Sequence, residues 1–261
     1  MARLLTNQHH LCEIRKQFAR ADRSLWCMTI AFKSKTLIAL ILCFCILDAL
    51  AASPQSAKYT SGGRQVTYEI FGTGETGPLL ILLHGVSGPD APLYREEANY
   101  FAGHGYTVLF LHYFDATGSN TPSDKNYEVW ERSVIDLIAE THKNSAWVDR
   151  KIGLIGFSLG ASVVLAAGSQ NAPVAAIVDW YGSLPDAFFE RRKGMPPLLI
   201  LHGQQDPIIP IVNAQQLARL CEMEHYTCES HFYPGEGHGF SAASLKDANQ
   251  RTLDFLARKL K

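Results

Sequence analysis

K-I-G-L-I-G-F-S-L-G-A, residues Lys151–Ala161, runs from a charged residue into a short apolar stretch, turns on glycines around one serine, and continues in small residues. The apolar run Ile152–Ile155 predicts a buried strand, and the pattern Ala161–Gly168 predicts a helix of small residues. Between them lies Gly156-Phe157-Ser158-Leu159-Gly160, the G-x-S-x-G spacing that presents a serine on a sharp strand-to-helix turn. Such a turn strains the serine backbone and brings strand and helix so close that bulky side chains at Gly156 and Gly160 would not fit. It would hold the Ser158 hydroxyl above the sheet, with the Leu159 N–H and the helix N-terminus aimed at a developing oxyanion.

Outward from this turn, short apolar runs alternate with helical patterns. Before it, Val66–Phe71 alternates like an exposed edge strand, and Leu79–Leu83 (L-L-I-L-L) reads as a fully buried one ending at His84-Gly85-Val86. A helix over Tyr94–His104, a strand over Tyr106–Leu111, a loop over His112–Lys125 and a helix over Tyr127–Lys143 follow. After it come strand Val174–Trp180, loop Gly182–Pro197, strand Leu198–Leu201, helix Ile211–Cys221, strand Thr227–Tyr233 and helix Ser241–Leu260. This alternation predicts an α/β fold: three layers, with a doubly wound, mostly parallel sheet and helices on both faces. Sites in such sheets lie beyond the carboxyl ends of the strands.

A serine needs a base to take its proton, and that base needs an acid to set its tautomer. Asp206 and His238 each follow a predicted strand in a Gly/Pro-rich turn, and the order Ser158, Asp206, His238 is the one this architecture uses. Asp179, at the end of its own strand, is the rival acid. His84 reads as a structural residue shaping the oxyanion turn, and His202 likewise reads as structural. His112 and Asp115 open the loop after the Tyr106–Leu111 strand and are candidates for substrate contact. Phe114, Trp180 and Tyr181 are candidates either for the pocket or for the core.

The chain of 261 residues is 47% hydrophobic and 19% charged, with a net charge of -1. This suits one globular domain with a full core and argues against an obligate nucleic-acid binder. The amino-terminal fifth differs. Thr36–Leu50 is an apolar run of about 15 residues behind Lys33 and Lys35, and Ala49-Leu50-Ala51 offers a cleavage site. Residues 1–51 therefore read as an extension plus export signal, with Met28 an alternative start and an uncleaved membrane anchor the alternative fate. Residues 52–63 read as a polar linker and 64–261 as the catalytic domain. Four of the six cysteines fall in the segment to be lost; Cys221 and Cys228 remain, able to pair in an oxidising compartment. Metal-site spacings of Cys or His do not appear.

H-G-V-S-G, G-F-S-L-G-A, L-H-G-Q-Q-D-P and G-E-G-H-G-F, in that order from Val66 onward, resemble the α/β-hydrolase superfamily. The compact, lidless arrangement is similar to its dienelactone hydrolase family. The resemblance implies Ser158 as nucleophile, Asp206 as acid and His238 as base, with an oxyanion hole from the Leu159 and Val86 N–H groups. Characterised dienelactone hydrolases carry cysteine at the elbow and a glutamate after the first core strand, where this chain has Ser158 and His84-Gly85-Val86. The implied activity is thus a serine esterase or lactonase acting on a small molecule without metal or organic cofactor. A small exported peptidase and a non-catalytic binding module are the other classes.

Overall fold

Gly62 and Gly63 both sit at positive φ, 54° and 80°, and this two-residue turn folds the chain into a hairpin. Positive φ at both turn positions matches the twist of antiparallel strands. The hairpin strands are β1 (Gln55–Ser61) and β2 (Arg64–Phe71), antiparallel with Tyr59 opposite Val66. This corrects the expectation of a linker over 52–63. Alternation in β1 points Tyr59 and Ser61 inward, where the Tyr59 hydroxyl donates to the Ser133 carbonyl at 2.6 Å and Ser61 Oγ donates to Asp136 Oδ2 at 2.7 Å. It also moves Val66–Phe71 off the sheet edge, since β1 covers it.

The computed structural model describes residues 54–72 and 77–260. The expected export signal, with its start at Met28 and its cleavage near Ala52, lies outside them. After β2 come β3 (Leu79–Leu83), α1 (Pro92–Gly103), β4 (Thr107–Leu111), a 3-10 turn (Tyr113–Ala116), α2 (Asp124–Thr141), β5 (Ile152–Phe157), α3 (Leu159–Ser169) and β6 (Ala176–Trp180). Then follow α4 (Asp186–Glu190), β7 (Leu198–Gly203), α5 (Ile211–Met223), β8 (Cys228–Tyr233) and α6 (Ala242–Leu260). The strands order as β1-β2-β4-β3-β5-β6-β7-β8, with β1–β2 and β2–β4 antiparallel and every later pair parallel.

The central strands β3 to β7 are buried along their whole length, as strands covered on both faces must be. Alternate residues feed two cores. Leu79, Ile81 and Leu83 pack with Trp130, Val134, Val163 and Leu217 from α2, α3 and α5. Leu80 and Leu82 pack on the opposite face with Phe101 of α1 and Phe255 and Leu256 of α6. This is the predicted three-layer, mostly parallel architecture.

Helices α1 and α2 start earlier than hydrophobic periodicity alone indicates, because proline and polar residues set their first turns. Pro92 occupies the first turn of α1, and Ser123 caps α2 by accepting the Asn126 N–H at 3.2 Å. The loop after β6 also contains the short α4. Cys221, near the end of α5, is joined by a disulfide to Cys228 at the start of β8.

Candidate active site

Ser158 stands between β5 and α3 with φ 54° and ψ −118°, a conformation that side chains rarely adopt. The surrounding glycines make it possible. A Cβ on Gly156 would strike the Gly160 carbonyl and Ala161, and one on Gly160 would strike the carbonyls of His84 and Leu83. Helix α3 thus begins one residue after the serine, packed against the carboxyl end of β3. The Leu159 N–H lies in its first turn, where the helix leaves N–H groups unpaired and the dipole favours negative charge.

Ser158 Oγ lies 2.7 Å from His238 Nε2, and His238 Nδ1 lies 2.8 Å from Asp206 Oδ2. The chain brings these together through two turns. Gly203, ending β7, has no side chain where the Glu236 and Gly237 carbonyls pass, so the His238 loop rests on the strand end. Gln204 N–H donates to Tyr233 O and Gln205 N–H to Glu236 O, each at 2.9 Å, tying the two turns together. The second oxygen of Asp206 accepts the N–H groups of Ile208 at 2.8 Å and Ile209 at 2.9 Å. With both carboxylate oxygens engaged, Asp206 keeps one rotamer and presents Oδ2 to the imidazole.

The other aspartate takes a different place. Asp179 is fully buried, accepts the Gly182 N–H at 2.7 Å, and has a second oxygen without a partner among the described residues. Burial pushes its pKa up to about 7, an unsuitable property for a partner that must stay anionic. His202 is buried beside Asp206 and donates from Nε2 to the Ile209 carbonyl at 2.8 Å, and burial lowers its pKa. It braces the acid turn.

Val86, on the turn after β3, is about half exposed at 52%. It borders a cleft of about 820 Å³ whose wall includes Lys58, Arg64, Ser87, Phe114 and Asp115. Ser158 is outside that wall, so the cleft adjoins the serine through the turn at Val86–Gly88 and does not enclose it. Asp115 lines the cleft while its Oδ2 accepts the Thr67 N–H at 3.0 Å. His112, the other candidate for substrate contact, is instead bound through Nε2 to Glu69 Oε1 at 2.8 Å. Glu69 is held in turn by a two-pronged Arg95 contact at 2.6 and 3.0 Å, and Arg95 reaches the Pro89 carbonyl at 2.7 Å. Although burial opposes it, the hydrogen bond and charge of Arg95 hold Glu69 below the usual carboxylate range. This anchor for the turn after β3 escaped the sequence reading, because nothing in the spacing of Glu69, Arg95 and His112 marks them as neighbours.

Trp180 lies in the core, donating from its indole to Thr252 Oγ1 at 3.3 Å. Tyr181 is buried edge-on to His238, with ring centroids 5.1 Å apart. Among the described residues there is no cluster of three metal-ligating side chains and no helix long and apolar enough to cross a membrane.

A sheet of this order with a serine turn between β5 and α3 defines an α/β-hydrolase fold. Comparison with known sequences narrows this. The model of the dienelactone hydrolase family matches residues 71–260, and the chain belongs to that family of carboxylic ester hydrolases. A putative carboxymethylenebutenolidase of Methylorubrum extorquens is 29% identical over 101 residues, spanning 35% of either chain. A human carboxymethylenebutenolidase homolog is 23% identical over 192 residues, covering 67% of this chain and 75% of its own. Among solved structures, a putative dienelactone hydrolase from Klebsiella pneumoniae superposes with a TM-score of 0.63 at 18% identity, covering 78% of this chain and 99% of its own.

Proposed function

We propose that this protein is a serine hydrolase that cleaves carboxylic ester or lactone bonds of small molecules through an acyl-enzyme. The observation that carries this reading is the continuous array Ser158 Oγ–His238 Nε2 at 2.7 Å and His238 Nδ1–Asp206 Oδ2 at 2.8 Å, built on a strained elbow.

In this mechanism Asp206 holds His238 with its proton on Nδ1, leaving the Nε2 lone pair toward Ser158. As Ser158 Oγ attacks the acyl carbon, its proton passes to Nε2 and the carbonyl oxygen gains negative charge. The Leu159 and Val86 N–H groups receive that oxyanion. Collapse expels the alcohol, which takes the proton from Nε2, and Ser158 is left acylated. A water molecule deprotonated by His238 then attacks the acyl carbon, and the carboxylic acid leaves as Ser158 regains its proton. None of these steps calls for a metal or organic cofactor.

The same reading includes export through residues 1–51, with a catalytic domain that now takes in β1. The disulfide between Cys221 and Cys228 supports an oxidising compartment. Amino-terminal sequencing of the protein from its native source tests this part; a terminus near Met1 or Met28 would exclude cleavage.

The enzymatic part is tested with a fluorophosphonate and intact-mass detection on the purified protein beside Ser158→Ala. One adduct that maps to Ser158 and is lost in the variant is the expected result. No adduct on folded protein counts against an activated serine. Turnover of short-chain esters and lactones, set beside peptide amides, then separates an esterase from a peptidase.

A further inference from the structure

His84 is completely buried immediately after β3, and its surroundings are aromatic. The ring stacks on Tyr113 at 4.5 Å and meets Phe114 edge-on at 4.6 Å, with Phe110 and Tyr94 about its remaining sides at 6.0 and 6.1 Å. Such a cage would accept a phenyl ring. An imidazole there leaves Nε2 buried without a hydrogen-bond partner among the described residues, a cost that phenylalanine would not carry.

What the imidazole adds is one hydrogen bond, from Nδ1 to the carbonyl oxygen of Gly85 at 2.8 Å. A carbonyl can only accept, so the proton sits on Nδ1. Burial pushes the His84 pKa down to about 4, so the ring is neutral and keeps this tautomer at physiological pH.

The Gly85 carbonyl belongs to the Gly85–Val86 peptide. That unit is planar and trans, so its N–H points opposite to its C=O. Gly85 lies directly against the serine, since a Cβ built on it would stand 3.3 Å from Ser158 Cβ and 2.6 Å from the Tyr94 hydroxyl. We propose that His84 is a positioning residue: by holding the Gly85 carbonyl on the inner side of the turn, it fixes the peptide plane and aims the Val86 N–H outward at the acyl oxygen above Ser158. This rests on the reading of Ser158 as nucleophile. The Gly88 N–H also donates to the Gly85 carbonyl, at 3.1 Å, so loss of His84 loosens the peptide without freeing it.

Two substitutions separate aiming from packing. His84→Phe keeps the ring and removes the donor. His84→Asn removes the ring but places an N–H donor the same number of bonds from Cα. The readouts are kcat and KM on a short-chain p-nitrophenyl ester, with Tm for each protein. His84→Phe is expected to match or exceed the wild-type Tm while kcat falls on the order of 10–100-fold at nearly unchanged KM, somewhat less than for outright loss of an oxyanion donor. His84→Asn is expected to lose Tm yet recover most of kcat. Full kcat in His84→Phe, or a kcat that follows Tm across the pair, makes His84 a packing residue and overturns the proposal. Wild-type turnover that disappears in Ser158→Ala secures the underlying reading independently; turnover that survives in Ser158→Ala removes that reading and this proposal with it.

Discussion

At the residue scale, the two candidate acids present the sharpest test. Asp179 lies near the end of buried β6 and Asp206 just after buried β7, and both could be drawn toward a histidine in a sequence reading. Only Asp206 reaches His238: the β8–α6 loop rests on Gly203, three residues before Asp206, while Asp179 is turned to the Gly182 N–H. Asp206→Asn should lower kcat by roughly 10⁴, the usual consequence of losing control of the histidine tautomer. Asp179→Asn should stay within a few-fold, since the amide oxygen can still accept the Gly182 N–H. Steady-state kinetics of the two variants with one ester checks both. The array itself was legible in the order of Ser158, Asp206 and His238. The commitment of His112 to Glu69 was not, because it depends on β2 lying beside β4.

Elements depend on close approaches that single residues permit. Gly160 lets α3 meet the end of β3, and a side chain there would push against the His84 and Leu83 carbonyls. Gly160→Val should destabilise the protein by about 1–3 kcal/mol or more and lower kcat in the folded fraction, as followed by thermal unfolding and ester turnover. The elbow assignment is wrong if the folded variant keeps full activity. The disulfide clips α5 to β8 across a sequence separation of 7. Replacing both cysteines with alanine should cost roughly 2–3 kcal/mol, measurable by urea denaturation. Here sequence and structure part most clearly at β1. Gln55–Ser61 is too polar to look like a strand, yet Gly62-Gly63 carried the hairpin signal, and Tyr59 and Ser61 become inward positions only once α2 lies beneath them.

For the whole molecule, buried acids link folding to pH. Glu97 on α1 accepts from Asn249 Nδ2 of α6 at 3.3 Å, and among the described residues neither Glu97 Oε2 nor Asn249 Oδ1 has a partner. Burial pushes the Glu97 pKa up to about 7, as it does for Asp179. An acid whose pKa is raised by folding binds its proton more tightly in the native state. Its stabilisation is complete below the unfolded value and is lost as pH rises through about 7. These two acids should therefore make stability fall between about pH 4.5 and 7.5, against an opposing rise from buried His84 and His202, and Glu97→Gln should remove about 1–3 kcal/mol of the falling part while preserving the α1–α6 contact. Calorimetry of both proteins across this range checks it; parallel curves would mean that Glu97 titrates normally.

Local patterning by itself determined the alternation of buried strands and helices, the serine elbow and the order of its partners. These follow from residue spacing, backbone sterics and the burial of apolar runs, all of which act over a few neighbouring positions. Tertiary structure alone decided that β1 extends the sheet and that Glu69, Arg95 and His112 anchor the turn after β3. Those outcomes depend on strand order and on how closely distant backbones approach. Both are settled when the two faces of the sheet are covered together.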